Sequence, residues 1–189
     1  MHNFPPLLIV PGLGDSPAGH WQDEWRQTVP GAHKVEQTDW EAPRLKDWLD
    51  GLHRALDAHP GTLVVGHSLG CALIVHAART SSAGKIGGAL LVAPADVDLP
   101  SPVRARPADF APLPLATLPF PSIVAASKND PYVSARRARL FAEAWGAQFV
   151  DLGLAGHVNI ASGHGPWPEG LALLDRLRAQ AGRADARAA

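Results

Sequence analysis

The chain has 189 residues, 46% of them hydrophobic, enough for one globular domain with a substantial core and too few for two independent ones. A net charge of -1 with no concentrated basic patch argues against nucleic acid as a partner; a single cysteine, Cys71, excludes an internal disulfide and argues against a Cys-based zinc site. No run of about 18 apolar residues occurs, so no membrane span is expected, and the absence of a basic, apolar leader together with the lone thiol points to the cytoplasm.

In chain order, PLLIV (6–10) is apolar, bounded by Pro and Gly, and reads as a strand. A helix is expected near 19–29, after DSP. HKVEQ (33–37) is a weaker, more polar strand. The segment 43–58 is the clearest amphipathic helix, with Leu45, Trp48, Leu49, Leu52 and Leu56 at helical spacing. TLVVG (62–66) is a buried strand, and 69–80 is a small, apolar helix. GALLVAP (88–94) and SIVAAS (122–127) are further buried strands. The segment 132–145, rich in Ala and Arg, is a helix, AQFVDL (147–152) a half-exposed last strand, and 168–180, with Leu171, Leu174 and Leu177, a last helix.

Continuously apolar strands alternating with helices imply a mainly parallel sheet of about six strands covered on both faces, an α/β three-layer sandwich with no large cap. One domain is expected over 1–180, with 181–189 a disordered tail. Residues 95–120 are rich in proline and lack periodicity; they form either a lid over a site or an irregular surface excursion.

The motif that organises the chemistry is Gly66-His67-Ser68-Leu69-Gly70. G-x-S-x-G alone is a weak signal, but here a buried strand precedes it and a helix follows, the setting of a nucleophile elbow. The serine needs a sharp turn, and glycines two residues away on either side let strand and helix approach closely. At the helix N-terminus the free N–H groups and the dipole favour developing negative charge. The competing reading is a plain turn with Ser68 as a helix cap.

A nucleophilic serine needs a base, and the base an orienting acid. With partners expected in the order Ser, acid, His beyond the C-terminal ends of strands, Asp130 after SIVAAS is the acid and His157 after AQFVDL the base. Asp151, Asp96 and Asp98 are rivals for the acid, and His164 for the base. His67 is expected to face away from the reacting side of the turn; His20 and His76 have no such placement. Two oxyanion-hole donors are expected from the main-chain N–H groups of Leu69 and Leu13, with Gly12 supplying the tight turn of VPGLGDS.

Trp21, Trp25, Trp40 and Trp167 adjoin the same edge of the sheet, where they either line an apolar acyl pocket or pack in the core. Trp48 and Trp145 lie on apolar helix faces and read as core. Cys71 reads as a buried filler.

LLIVPGLGDSPAGHWQDEW, VVGHSLGC, ASKNDPYV and AGHVNIASGHGPWPEG together resemble the small serine hydrolases that include retinoblastoma-binding protein 9, within the α/β-hydrolase superfamily. The likeness covers most of residues 7–171. It implies Ser68 as nucleophile, Asp130 as acid and His157 as base, in a compact hydrolase. The expected activity is cleavage of ester or activated amide bonds of small molecules through an acyl-enzyme, with no metal and no cofactor. The alternative is a protein of the same fold that binds a small ligand or a protein partner with little catalysis. Esterase, thioesterase and aminopeptidase chemistry share this machinery, and no segment predicts an oligomer.

Overall fold

The computed structural model describes residues 5–99 and 107–188. Six strands, β1 (Leu7–Val10), β2 (Ala32–Lys34), β3 (Thr62–His67), β4 (Ile86–Val92), β5 (Ser122–Ala126) and β6 (Gln148–Asp151), form one parallel sheet in the order β2-β1-β3-β4-β5-β6. The helices are α1 (Trp21–Thr28), α2 (Leu45–Ala58), α3 (Leu69–Ala77), α4 (Ala135–Trp145) and α5 (Pro168–Ala188).

The strand order explains which helix covers which face. Parallel crossovers are right-handed, so steps in opposite directions along the sheet put their helices on opposite faces. Only the β1-to-β2 step runs toward the β2 edge, and α1 packs alone among the crossover helices on one face. There α5, arriving after the last strand, completes the cover. All later steps run the other way, and α2, α3 and α4 share the second face.

Period-2 geometry divides the strand side chains between the two cores. Leu8, Val10, Val64, Leu91 and Val124 face α2, α3 and α4. Leu7, Ile9, Val65, Leu90 and Ile123 face α1 and α5. Both faces are buried, hence the unbroken apolar runs. The edge strands β2 and β6 are only partly buried.

Helix α5 runs through Ala188, so the segment from 181, expected to fray, is helical to that point. Its alanines are strong helix formers, and Ala181 is buried against the sheet. Of the Pro-rich connection, residues 100–106 lie outside the described residues. The part from Pro107 onward is anchored to the core: Phe110, Leu113, Leu118 and Phe120 are buried, and Trp145 Nε1 donates to the Pro114 carbonyl at 2.8 Å. Among the described residues no helix is long and apolar enough to cross a membrane.

Candidate active site

The sheet reverses its order of winding between β1 and β3, and the crevice beyond the strand ends at such a switch point is where open α/β sheets bind ligands. Ser68 stands there, between the end of β3 and the start of α3, at φ 54° and ψ -119°. Such a conformation is costly for a residue with a Cβ, on the order of 1–3 kcal/mol, and persists only where surrounding contacts hold it. The Ser68 N–H donates to Val92 O at 3.0 Å, and the Ser68 carbonyl accepts from Cys71 N–H at 3.0 Å and Ala95 N–H at 3.3 Å.

The flanking glycines are required by close approach. A Cβ on Gly66 would lie 2.7 Å from Ile74 Cδ1 and 3.0 Å from Cys71 N; one on Gly70 would lie 2.2 Å from Val10 O. These contacts let α3 sit directly on β3 and on the end of β1.

His157 lies beyond β6 with its Nδ1 at 2.9 and 3.0 Å from the two carboxylate oxygens of Asp130, which follows β5. A carboxylate accepts, so Nδ1 carries the proton and Nε2 keeps its lone pair. The Asp130 side chain is fully buried, and its Oδ1 also accepts from Tyr132 N–H at 2.8 Å. Ser68 and His157 line one cavity of about 350 Å³ with walls that are mostly apolar. Among the described residues no hydrogen bond joins the Ser68 hydroxyl to His157. Nucleophile–base pairs without substrate are commonly looser than in the reacting complex.

Gly12 and Leu13 line the same cavity. A methyl on Gly12 would stand 3.0 Å from Ser68 Cβ and 3.3 Å from Leu69 N, so the first loop touches the elbow. Among the described residues no protein acceptor takes up the N–H of Leu13 or of Leu69. The loop is braced by Gln22, whose Nε2 donates to Val10 O and Val65 O and whose Oε1 accepts from Ser16 Oγ at 2.7 Å.

The rival residues are engaged elsewhere. Asp96 borders the cavity, but both its oxygens are held by Arg137, at 2.7 and 3.1 Å, and Asp98 accepts from the same guanidinium at 3.2 Å. Asp151 caps its own turn through Gly153 N–H and pairs with Lys128 and Arg139. His164 lies against Trp167 and the Ser162 hydroxyl. Burial pushes the Cys71 thiol up, so it stays protonated.

None of the four tryptophans lines the cavity. Trp21, Trp25 and Trp167 pack on one another in the core under α1 and α5, with ring centroids 4.8 to 6.0 Å apart, and Trp40 packs edge-on against Trp48. Trp21 instead braces the loop that carries His157, donating from Nε1 to Val158 O at 2.8 Å.

Several residues that border or brace the site carry no motif that singles them out. His67 does not simply face away: its ring lines the cavity, and Nε2 donates to the His157 carbonyl at 2.8 Å. Burial, and after it the neighbouring His157 and His20, hold its pKa well below the ordinary histidine range. His20 also lines the cavity, and burial followed by the His157 charge lowers it to about 4. Ser127 and Asn129 clamp the loop that carries His157: Ser127 Oγ accepts from Ala155 N–H at 3.0 Å, and Asn129 Oδ1 accepts from Gly156 N–H at 2.8 Å and Ser127 Oγ at 2.6 Å. Among the described residues no group of three or more metal-binding side chains occurs.

Residues 7–176 match a family model described as serine hydrolase. A YdeN-like hydrolase from Pectobacterium atrosepticum is 32% identical with a TM-score of 0.81, the match covering 93% of this chain and 91% of that one. The ydeN gene product of Bacillus subtilis is 22% identical with a TM-score of 0.72, over 92% and 98% of the two chains. Esterase 2 of Thermogutta terrifontis, at 18% identity and a TM-score of 0.67 over 92% and 81%, shares the fold. No curated protein matches the chain.

Proposed function

The chain belongs to the serine hydrolase family, and on that premise we propose that it cleaves ester or activated amide bonds of small molecules with Ser68 as nucleophile, His157 as base and Asp130 as orienting acid. One observation carries the reading: a buried carboxylate fixes the tautomer of an imidazole that shares a cavity with a serine held on a strained strand-to-helix turn.

In this mechanism Ser68 Oγ attacks the substrate carbonyl carbon while its proton passes to His157 Nε2. Asp130 stays ionised and stabilises the imidazolium. The tetrahedral oxyanion accepts from the N–H groups of Leu13 and Leu69, each donor contributing roughly 3 kcal/mol of barrier lowering. The intermediate collapses, the leaving group departs with the proton from His157, and Ser68 holds the acyl group. Water then gives a proton to His157 and attacks the ester carbon, releasing the acid and restoring the serine. The cavity volume suits a small substrate, and its apolar walls suit an uncharged acyl group. The lone buried thiol is compatible with action in the cytoplasm.

The test is Ser68→Ala. Hydrolysis of p-nitrophenyl esters is expected to fall to background and labelling by a fluorophosphonate to disappear; full retention of either overturns the assignment. A panel of short- and long-chain acyl esters, thioesters and aminoacyl amides then separates esterase, thioesterase and aminopeptidase chemistry.

A further inference from the structure

The cavity holds a second imidazole that the reaction above does not use. His20 is 4% exposed, yet its ring lines the same cavity as Ser68 and His157. It is the N-cap of α1, and its Nδ1 accepts from Gln22 N–H at 3.1 Å. A nitrogen that accepts is unprotonated, so the ring proton sits on Nε2. Among the described residues no protein acceptor reaches Nε2. The fold thus fixes the orientation and the tautomer of a buried ring and leaves its one donor for whatever fills the cavity. The ring is also uncharged at neutral pH, because burial lowers it to about 4. It acts there as a neutral donor, not as a cation that would collect carboxylates.

We propose that His20 is a specificity-determining residue: its Nε2–H pairs with a hydrogen-bond acceptor that the substrate carries near the scissile carbonyl. The inference rests on the Ser68 reading and narrows its substrate class. The physical ground is the cost of an unpaired donor. The cavity wall is mostly apolar, with Leu13, Pro17 and Val97 in it, although Asp15 and Asn159 also line it. A hydrocarbon chain that displaces water from this wall strands the Nε2–H, whereas an ether, keto or hydroxyl oxygen at the same place keeps it paired. The cavity therefore favours oxygen-bearing substrates over hydrocarbon ones of equal length.

Two substitutions separate this role from the helix cap. His20→Asn places an oxygen near the position of Nδ1 and keeps the cap, but is too short to donate where Nε2 does. His20→Gln places an amide N–H near the position of Nε2 and gives up the cap. The readout is the ratio of kcat/KM within two matched pairs: p-nitrophenyl methoxyacetate against p-nitrophenyl butyrate, and S-(2-methoxyethyl) thioacetate against S-butyl thioacetate. In at least one pair the oxygen-to-hydrocarbon ratio is expected to fall about tenfold in His20→Asn and to return to within about threefold of the parent in His20→Gln. The melting temperatures should fall in the opposite order, with His20→Gln the less stable. Ratios unchanged in both pairs for His20→Asn, or lowered without recovery in His20→Gln, overturn the proposal. Ser68→Ala run alongside keeps the two readings apart: if it abolishes turnover while the ratios ignore His20, only the role of His20 fails.

Discussion

His67 Nε2 lies 2.8 Å from the main-chain carbonyl oxygen of His157. The carbonyl accepts, so the residue before Ser68 donates to the backbone of His157. The elbow and the His157 loop come from sequence positions ninety residues apart, and this bond joins them directly. His157 is thereby held from two sides, at its ring by Asp130 and at its carbonyl by His67. Replacing His67 by Ala leaves that carbonyl without its donor and frees the loop. The expected result is a fall in kcat of about tenfold with KM changed less. His67→Gln, which places an N–H near the original Nε2, should recover much of it. Steady-state kinetics on one ester decides the matter; an unchanged kcat in His67→Ala removes His67 from the positioning of His157.

Gly12→Ala tests the contact between the first loop and the elbow. The new methyl would stand 3.0 Å from both Ser68 Cβ and the His67 carbonyl oxygen. Neither is the end of a flexible chain, so the loop must move, and the Leu13 N–H moves with it. A displacement on the order of 1 Å costs roughly 100-fold in rate. Contacts of 3.0 to 3.3 Å ask for a shift of only a few tenths of an ångström, so we expect kcat/KM to fall by less than that, roughly tenfold, while the chain still folds cooperatively. Kinetics and thermal unfolding on the same preparation check both halves.

Much of this arrangement is legible in the sequence, and the misses have physical causes. The continuous apolar runs of β1, β3, β4 and β5 read plainly because helices cover both faces of the sheet. The expected 33–37 strand is displaced to Ala32–Lys34 because β2 is an edge strand with one partner, and nothing on its outer side fixes its ends. Trp21 and Trp25 are neighbours along the chain to the loop after β1, but four-residue spacing puts them on one face of α1, and that face covers the sheet. Nearness in sequence to a cavity-lining loop is thus a poor guide to nearness in the cavity. His20 and His67 escape pattern reading because their roles depend on which ring atom meets which carbonyl or amide. The one available signal was the place of His20 just ahead of α1, where a cap belongs.

The two buried neutral histidines set a pH dependence of stability. His20 is lowered to about 4 by burial first, and His67 is lowered well below the usual range for the same leading reason. An unfolded histidine titrates near 6.5. Between those values the unfolded chain binds more protons than the folded one, so stability rises with pH there. It is fully present above about 6.5 and is lost on acidification toward about 4, on the order of 3 kcal/mol for His20 alone. Urea midpoints measured from pH 7 to pH 4.5 should fall accordingly, and His20→Asn should flatten the slope. A slope unaltered by that substitution would show that His20 is not among the groups responsible.

Arg137 governs a different charge at the same cavity. The Asp96 side chain is 4% exposed, and both its oxygens are occupied by Arg137, whose own side chain is 19% exposed and also reaches Asp98. Arg137→Met keeps an aliphatic stem against Phe141, over which the guanidinium now lies at 4.8 Å, and removes the charge. Asp96 is then a buried carboxylate without its partner, a change that typically costs about 3–5 kcal/mol. Neutralising it in Asp96→Asn/Arg137→Met should return much of that loss, giving a coupling energy of about 1–3 kcal/mol between the two sites. The pH behaviour distinguishes this from lost packing. A stranded buried carboxylate favours its protonated form, so the folded state of Arg137→Met binds a proton more readily than the unfolded chain. Its deficit relative to the parent should therefore be larger at pH 7 than at pH 5, opposite in sign to the trend set by the histidines. Chemical denaturation of the parent, both single variants and the double at those two pH values measures the cycle; a deficit independent of pH would assign the loss to packing against Phe141.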